Sequence, residues 1–303
     1  MIRLALRVPR ERAEVALAEL LELCSTGVEE VDRGELVEYA VYGAPGELPE
    51  LGDLRAVIGE LLVEVSTTTL PDDWSERWKR FHRPLELGHR LRVRPPWEAP
   101  ARRPGVVEVV IDPGAAFGTG SHATTRLCLE LLLALAPSGG FADWGCGSGV
   151  LAIAAAGLGW SPVVGVDHDP ASVAASLSNA RANGVEVALS RLDLRHTAGP
   201  WAPTVIANLV RPLLLRVAEL LERPPDRLIV SGLLRSEADE AAAAFARHGL
   251  RERGRRELGE WAALLLVREG AGVPDGGDFL RGGAGGAFVE VLGGDDDAAQ
   301  LGA

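Results

Sequence analysis

The chain has 303 residues, of which 47% are hydrophobic, and a formal net charge of −12 at pH 7. This length can bury a large core and predicts one large and one small domain, while the acidic balance argues against a nucleic-acid duplex as direct partner, because neutralising phosphates requires a basic face. The three cysteines, Cys24, Cys128 and Cys146, are far apart and form no Cys-x-x-Cys pair, so neither a disulfide framework nor a zinc site is expected.

Two further features concern the cellular location. No apolar run is long enough to span a bilayer, and residues 1–10 alternate apolar and basic side chains instead of forming the apolar block of a signal peptide. We therefore expect a cytoplasmic monomer without a membrane partner. An acidic protein of this kind would attract a basic protein substrate.

The first 69 residues are predicted to form a separate α+β domain. Ile2, Leu4, Leu6 and Val8 alternate as in a half-buried strand, and the order β-α-β-β-α-β is typical of a ferredoxin-like fold. Since this region contains no catalytic cluster, we interpret it as a module for substrate recognition or packing. Its predicted elements are strand 2–8, helix 10–23, strands 27–31 and 36–42, helix 51–59 and strand 61–68.

Residues 70–104 are predicted to link this domain to the rest of the chain. Trp74, Trp78 and Phe81 have helical spacing and form one apolar stripe on an otherwise charged segment. A Pro- and Arg-rich stretch follows, with one strand expected over residues 91–93.

A glycine-rich turn between two predicted strands indicates a nucleotide pocket. The turn reads Asp143-Trp144-Gly145-Cys146-Gly147-Ser148-Gly149, and the strand over residues 163–166 ends at Asp167, whose carboxylate can bind ribose hydroxyls. Position 150 is valine, so the spacing is Gly-x-Gly-x-Gly and not that of a dinucleotide-binding turn, which disfavours a nicotinamide-dependent reductase. This pattern resembles motif I of class I S-adenosylmethionine-dependent methyltransferases.

A second glycine-rich stretch precedes this turn. Residues 113–125 lead into a predicted helix, for which Thr124 or Thr125 could provide the cap. Together with the motif I turn, they resemble the ribosomal protein L11 methyltransferase family, whose hallmark Pro-Gly-x-Ala-Phe-Gly-Thr-Gly-x-His-x-Thr-Thr they match throughout. Further similarity lies at residues 167–170, 179–185, 206–209 and 230–234.

The resemblance implies a class I methyltransferase Rossmann-like α/β sheet over residues 105–269, with the smaller ferredoxin-like domain before it. Residues 270–303 are rich in glycine and acids and are predicted to be a disordered tail. Two other departures from the family pattern are Pro203, where an acid is common, and Trp144, which replaces a smaller apolar residue.

The resemblance also implies the cofactor, S-adenosyl-L-methionine, and the substrate, amines of ribosomal protein L11 on lysine side chains and/or the N-terminus. It assigns cofactor contacts to Thr125, Gly145, Asp167 and Asn208. Additional candidates are Gly147 for backbone approach to the ligand, Phe117 as a wall over the cofactor or target side chain, and Asp193 for the adenine amino group. Core packing for Phe117 and a solvated loop for Asp193 are the alternatives.

No general base is assigned, because burial beside a sulfonium favours the neutral form of a lysine amine. His122 is interpreted as a hydrogen-bonding structural residue, and the histidines show no metal-ligand spacing. Asn208 is followed by Leu209-Val210-Arg211 and not by the Pro-Pro-aromatic run of base methyltransferases, which argues against a flipped base as substrate. The remaining alternatives are another protein lysine, a small amine, or a non-catalytic cofactor-binding protein.

Overall fold

The computed structural model describes residues 2–13, 16, 28–43, 54–58, 61–69, 83–101, 103–112 and 122–270. Several predicted features lie outside these ranges: the aromatic stripe of Trp74, Trp78 and Phe81, the stretch 113–121 and the tail 271–303. The described strands form three sheets, of five, three and seven strands.

The five-stranded sheet is built from the N-terminal residues. Its order is β2-β3-β1-β5-β4, in which β1 pairs antiparallel with both β3 and β5, as in the predicted ferredoxin-like arrangement. Of the predicted helix 10–23, only residues 10–13 and 16 are described, and Ala13 and Ala16 are buried. The strands are β1 (Ile2–Pro9), β2 (Val28–Arg33), β3 (Leu36–Gly43), β4 (Leu54–Ile58) and β5 (Leu61–Thr69).

The predicted helix over residues 51–59 is wrong, because Leu54–Ile58 is strand β4. It pairs antiparallel with β5, and Ile58 lies opposite Leu61. The β-branched residues Val57 and Ile58, followed by Gly59, are typical of a strand that ends in a hairpin. The apolar spacing of the same segment is also compatible with a short helix, which led to the wrong prediction. Cross-strand pairing with β5 outweighs the weak helical pattern of so short a segment.

One face of the small sheet carries a buried ion cluster. Glu38 on β3 is fully buried and accepts hydrogen bonds from Arg3, Arg7 and Arg33 at 2.7, 2.6 and 3.1 Å. Burial acts to raise the pKa of Glu38, but the hydrogen bonds from the three guanidinium groups outweigh it and lower the pKa to about 2. The carboxylate is therefore ionised in the folded protein.

A three-stranded sheet has two strands in the predicted linker 70–104 and one in the region 105–269 that follows it. It consists of β6 (Leu85–Leu87), β7 (Leu91–Arg94) and β8 (Val107–Val110), with β7 parallel to β8, and β7 confirms the strand expected over 91–93. Leu91, Val109 and Ile111 are buried in the same apolar cluster as the helices of the large sheet. This part of the chain thus contributes to the core of the C-terminal half.

The seven-stranded sheet has the order β11-β10-β9-β12-β13-β15-β14, in which β15 runs antiparallel to the other six strands. This confirms the predicted class I methyltransferase sheet. The strands are β9 (Phe141–Trp144), β10 (Val163–Asp167), β11 (Ala188–Arg191), β12 (Thr204–Asn208), β13 (Arg227–Leu234), β14 (Leu250–Leu258) and β15 (Trp261–Arg268). The described α-helices, labelled in chain order, are α1 (Ala123–Leu133), α2 (Val150–Leu158), α3 (Pro170–Ala182), α4 (Arg211–Leu220) and α5 (Ala238–Ala246).

Separate apolar clusters cover the two faces of this sheet. One contains side chains of α1 and α2, and the other contains side chains of α4 and α5. From β9 the chain moves outward through β10 and β11, then returns to β12 on the other side of β9. Open α/β sheets bind ligands at such a switch point, beyond the carboxyl ends of the strands.

Candidate functional site

The turn after β9 extends from Gly145 to Gly149 and is held against β10. The amides of Gly145 and Cys146 both donate to the carbonyl of Val166, at 2.8 and 2.9 Å. Gly145 and Gly149 have φ angles of 80° and 82°, a left-handed conformation that costs energy for residues with a Cβ. Gly149 is also the N-cap of α2. The glycine spacing therefore produces the tight strand-to-helix turn that the sequence predicts.

Gly145 also makes room for a side chain of the neighbouring strand end. A Cβ at Gly145 would lie 2.3 Å from Cδ2 of Leu209, and a Cβ at Gly232 would lie 2.3 Å from the Leu209 carbonyl oxygen. Both distances are far below van der Waals contact; the backbone carbonyl opposite Gly232 cannot move away, whereas the Leu209 side chain opposite Gly145 can rotate, so packing requires glycine more strictly at position 232. The ends of β9, β12 and β13 meet at this residue.

Asp167, the last residue of β10, faces the glycine turn. Its Oδ2 accepts a hydrogen bond from the Gly147 amide at 2.9 Å, and its Oδ1 accepts one from the Asp169 amide at 3.0 Å. The residue is 9% exposed. A carboxylate has about four lone-pair positions, so this side chain keeps acceptor capacity beyond its two backbone bonds.

The first turn of α1 carries the predicted threonine. Thr125 is 1% exposed, and its Oγ1 has no hydrogen-bond partner within the described part of the chain. Burying a hydroxyl without a partner costs about 1–3 kcal/mol. This unsatisfied group is therefore a candidate for ligand contact.

His122, and neither Thr124 nor Thr125, caps α1, so that prediction was wrong. Its Nδ1 accepts a hydrogen bond from the Thr124 amide at 3.3 Å and lies 2.8 Å from the Thr124 hydroxyl. The ring packs edge-on against Trp261, with 5.0 Å between centroids. Burial lowers the pKa of His122, which favours the neutral ring that accepts at the cap. The structural interpretation of His122 is confirmed.

Asn208 ends β12 on the other side of β9. It is half-buried and pairs in register with Ser231 of β13, whose hydroxyl lies within hydrogen-bonding distance of the Ala262 carbonyl at 3.1 Å and of the Thr124 carbonyl at 3.4 Å. These contacts bring the start of α1 to the strand ends. Thr125, Gly145, Gly147, Asp167 and Asn208 thus belong to elements that converge on one edge of the sheet.

Asp193 lies in the loop after β11 and is already engaged. Its carboxylate receives two nearly parallel hydrogen bonds from the Arg195 guanidinium, with Nε–Oδ1 and Nη2–Oδ2 distances of 2.9 Å each. These bonds hold the pKa of Asp193 well below its usual range. Phe117, the remaining candidate, lies outside the described residues.

Asp143 on β9 is a buried carboxyl group that the sequence analysis did not single out. It is fully buried; Oδ2 accepts from the Ala152 amide at 3.1 Å, while Oδ1 has no partner among the described residues. Burial raises the pKa of Asp143 to about 7. The sequence feature that indicates Asp143 is an acidic residue inside an otherwise apolar strand, two residues before the first glycine.

The two departures from the family pattern lie in different places. The Trp144 indole is buried and donates from Nε1 to the Pro200 carbonyl at 3.1 Å, and a Cβ at Gly199 would lie 2.3 Å from Nε1. The larger side chain is thus accommodated by a glycine in the facing loop. Pro203 precedes the amino end of β12, whereas the candidate site lies beyond the carboxyl ends.

The thiols of Cys128 and Cys146 are buried, which raises their pKa values. The described ranges contain no group of three or more His, Cys, Asp or Glu side chains arranged to hold a metal ion. None of the described helices combines the length and apolar character needed to cross a membrane.

Comparison with known proteins adds independent information. Residues 51–269 match the family model described as ribosomal protein L11 methyltransferase (PrmA). A relative named ribosomal protein L11 methyltransferase from Geobacter sulfurreducens is 36% identical, over 80% of this chain and 85% of its own. One with the same name from Syntrophotalea carbinolica is 36% identical over 86% and 96%.

A solved structure agrees with the sequence relatives. The crystal structure of a ribosomal protein L11 methylase from Lactobacillus delbrueckii subsp. bulgaricus is 28% identical to this chain, with a TM-score of 0.56. The match covers 61% of this chain and 98% of that chain.

Proposed function

The chain belongs to the ribosomal protein L11 methyltransferase family, and we propose that the carboxyl ends of β9, β10 and β12 form its cofactor site. It is an S-adenosylmethionine-dependent methyltransferase acting on ribosomal protein L11. The observation that supports the site most directly is the buried Thr125 hydroxyl, which lacks a partner in the described structure. A bound ligand would satisfy it.

The other residues fit this cofactor by their chemistry. Gly145 and Gly147 expose backbone without a Cβ, and Asp167 has acceptor capacity left for ribose hydroxyls. Asn208 offers both a donor and an acceptor at the switch point. Asp193 is the weaker candidate for the adenine amino group, because the Arg195 pair already occupies its oxygens, and Phe117 remains a proposed wall.

When bound, the cofactor supplies a methyl group activated by a positively charged sulfur. The protein has to align the amine with that group and exclude water, since methyl transfer is an in-line displacement. Burial beside a positive charge depresses the pKa of a lysine ammonium. We therefore assign no general base, and His122 is committed to capping α1.

The acceptors in our proposal are lysine side chains and/or the N-terminal amine of L11. The test incubates the protein with methyl-labelled cofactor and a mixture of ribosomal proteins, followed by mass analysis of the labelled band. We expect label on L11 amines alone. L11 whose amines have been chemically acetylated serves as the control and should take up none, because an amide nitrogen is not nucleophilic; label on another protein, or on a small amine only, would redirect the assignment.

We further propose residues 1–69 as the recognition module and a cytoplasmic monomer as the working form, without direct nucleic-acid contact. The net charge of −12 should steer a basic substrate, and the Debye length shrinks to roughly 3 Å at 1 M salt. Apparent kcat/KM for L11 should therefore fall with salt while cofactor affinity stays nearly constant. A flat salt profile with L11 would contradict electrostatic steering.

A further inference from the structure

The buried face of helix α3 combines polar and small apolar residues. Ser172, Ser176 and Asn179 are all buried on this helix, where a helix packed on a sheet ordinarily presents aliphatic side chains. Buried polar groups require hydrogen-bond partners. The partners of Ser176 and Asn179 identify what this face does.

Ser176 and Asn179 bond to consecutive carbonyls of the glycine turn. Ser176 Oγ donates to the Gly147 carbonyl at 2.7 Å, and Asn179 Nδ2 donates to the Ser148 carbonyl at 2.9 Å. The turn lies so close to α3 that a Cβ at Gly149 would be 2.9 Å from Ser176 Oγ.

The same asparagine reaches a second segment. Asn179 Oδ1 accepts a hydrogen bond from the Asp112 amide at 3.2 Å, and Asp112 is the last described residue before the glycine-rich stretch 113–121. One amide side chain thus joins the backbone of the motif I turn to the backbone that leads into the second family motif.

Resting on the proposed cofactor site, we propose that Ser176 and Asn179 are positioning residues that set the conformation of the glycine turn for S-adenosylmethionine. Gly147 is held on two sides, because its amide donates to Asp167 and its carbonyl accepts from Ser176. Fixing both carbonyls fixes the two peptide planes, since each peptide unit is rigid. The turn is then ordered before the ligand arrives, which lowers the entropic cost of binding.

Asn183, which caps the carboxyl end of α3, provides a control beside the same helix. Its Oδ1 accepts from the Val110 amide and its Nδ2 donates to the Val110 and Asn179 carbonyls, all at 2.7 Å; none of these bonds involves the glycine turn. Asn179→Asp and Asn183→Asp each keep an acceptor oxygen and remove the donor. Asn179→Asp removes the hydrogen bond to the Ser148 carbonyl of the glycine turn, whereas Asn183→Asp removes those to the Val110 and Asn179 carbonyls.

The experiment measures S-adenosylmethionine binding by calorimetry, together with kcat and both KM values for L11 methylation in the full-length protein. For Asn179→Asp we expect the Kd and KM for S-adenosylmethionine to rise about tenfold or more, while the KM for L11 stays unchanged. Asn183→Asp should change cofactor affinity less than about twofold, with a similar fall in Tm.

Equal affinity losses in the two variants would overturn the inference, because they would indicate general destabilisation. Wild-type affinity in folded Asn179→Asp would overturn it as well. Should that variant not fold, Ser176→Ala decides: a Kd several-fold above that of the wild type supports the proposal, and an unchanged Kd refutes it. If the wild-type chain itself bound no S-adenosylmethionine, the proposed function would fail before any variant was compared.

Discussion

Asp143 and Asp167 lie on neighbouring parallel strands on either side of one glycine turn, but their environments are opposite. Asp143 is fully buried, has one oxygen without a partner in the described structure, and has a pKa raised to about 7. Asp167 is 9% exposed, and both of its oxygens accept backbone hydrogen bonds. Two identical residue types therefore perform different tasks.

The difference distinguishes a structural carboxylate from the one that we propose for ligand binding. Asp143 accepts from the first turn of α2 through Ala152 and so orients the helix, without access to solvent. Asp167 sits at the strand end, where its remaining acceptor capacity faces the switch point. An acid near a glycine turn is thus not by itself a ligand contact; its position relative to the strand end decides.

The largest expected effect tests this contrast directly. Asp167→Ala should weaken S-adenosylmethionine binding roughly ten- to hundredfold, because a hydrogen bond to a charged acceptor is worth about 1.5–3 kcal/mol. Asp143→Asn, which keeps an acceptor for Ala152, should bind within about twofold of the wild type. Calorimetry on both folded variants is the measurement. Comparable losses of cofactor affinity in the two variants would show that Asp143 and Asp167 do not differ in their role at the site.

The next effect concerns the turn between the two aspartates. Gly145→Ala should lower the free energy of unfolding by about 2 kcal/mol, since it combines a left-handed φ with displacement of the flexible Leu209 side chain. Gly184→Ala is the control: φ is +63° there, but nothing lies within 4 Å of an added Cβ, so only about 1 kcal/mol is expected. Chemical denaturation measures the loss of unfolding free energy in both variants. Equal losses would show that the contact with Leu209 does not contribute to the effect at position 145.

A smaller effect is expected on the side of the site facing α1. Thr125→Val keeps the shape but removes the unpartnered hydroxyl, so the ligand-free protein should be equally stable or more stable by about 1 kcal/mol. Cofactor affinity should fall about fivefold, because one hydrogen bond to the ligand is lost. Thermal melting without and with S-adenosylmethionine separates the two effects; unchanged affinity would exclude Thr125 from the site.

The smallest effect is a pH dependence of opposite sign at two buried acids. The pKa of Asp143 rises from 3.8 to about 7 on folding, so the native state holds the extra proton and stability falls as the pH rises from about 4 to 7. Asp143→Asn should remove this dependence, with a gain in Tm of about 2–4 °C at pH 8.

Glu38 supplies the opposite case. Its pKa falls from 4.5 to about 2 on folding, so its stabilisation is present above pH 4.5 and is lost as the pH drops toward 2. Glu38→Gln should flatten the acid side of the melting profile and leave the alkaline side unchanged. Profiles of Tm against pH from 3 to 9 test both acids. The same pH dependence in Asp143→Asn and Glu38→Gln would contradict the opposite pKa shifts of the two acids.

The sequence by itself determined the C-terminal sheet and the main candidates at its edge. Gly145, Gly147 and Gly149 sit between two apolar strands, and their spacing is a local property that specifies the turn without knowledge of the rest of the fold. Asp167 and Asn208 end strands, and the carboxyl ends of parallel strands meet at one edge of a sheet. These residues could therefore be found from pattern alone.

Only the tertiary structure decided features that depend on a partner distant in sequence. Leu54–Ile58 became a strand through pairing with β5, and His122 became the cap of α1 through its backbone geometry. From the sequence alone, α3 is a weakly amphipathic helix. The role of its buried polar residues becomes clear only when the glycine turn is placed against them. Local propensity cannot specify such contacts, because their free energy arises only when the two segments are brought together.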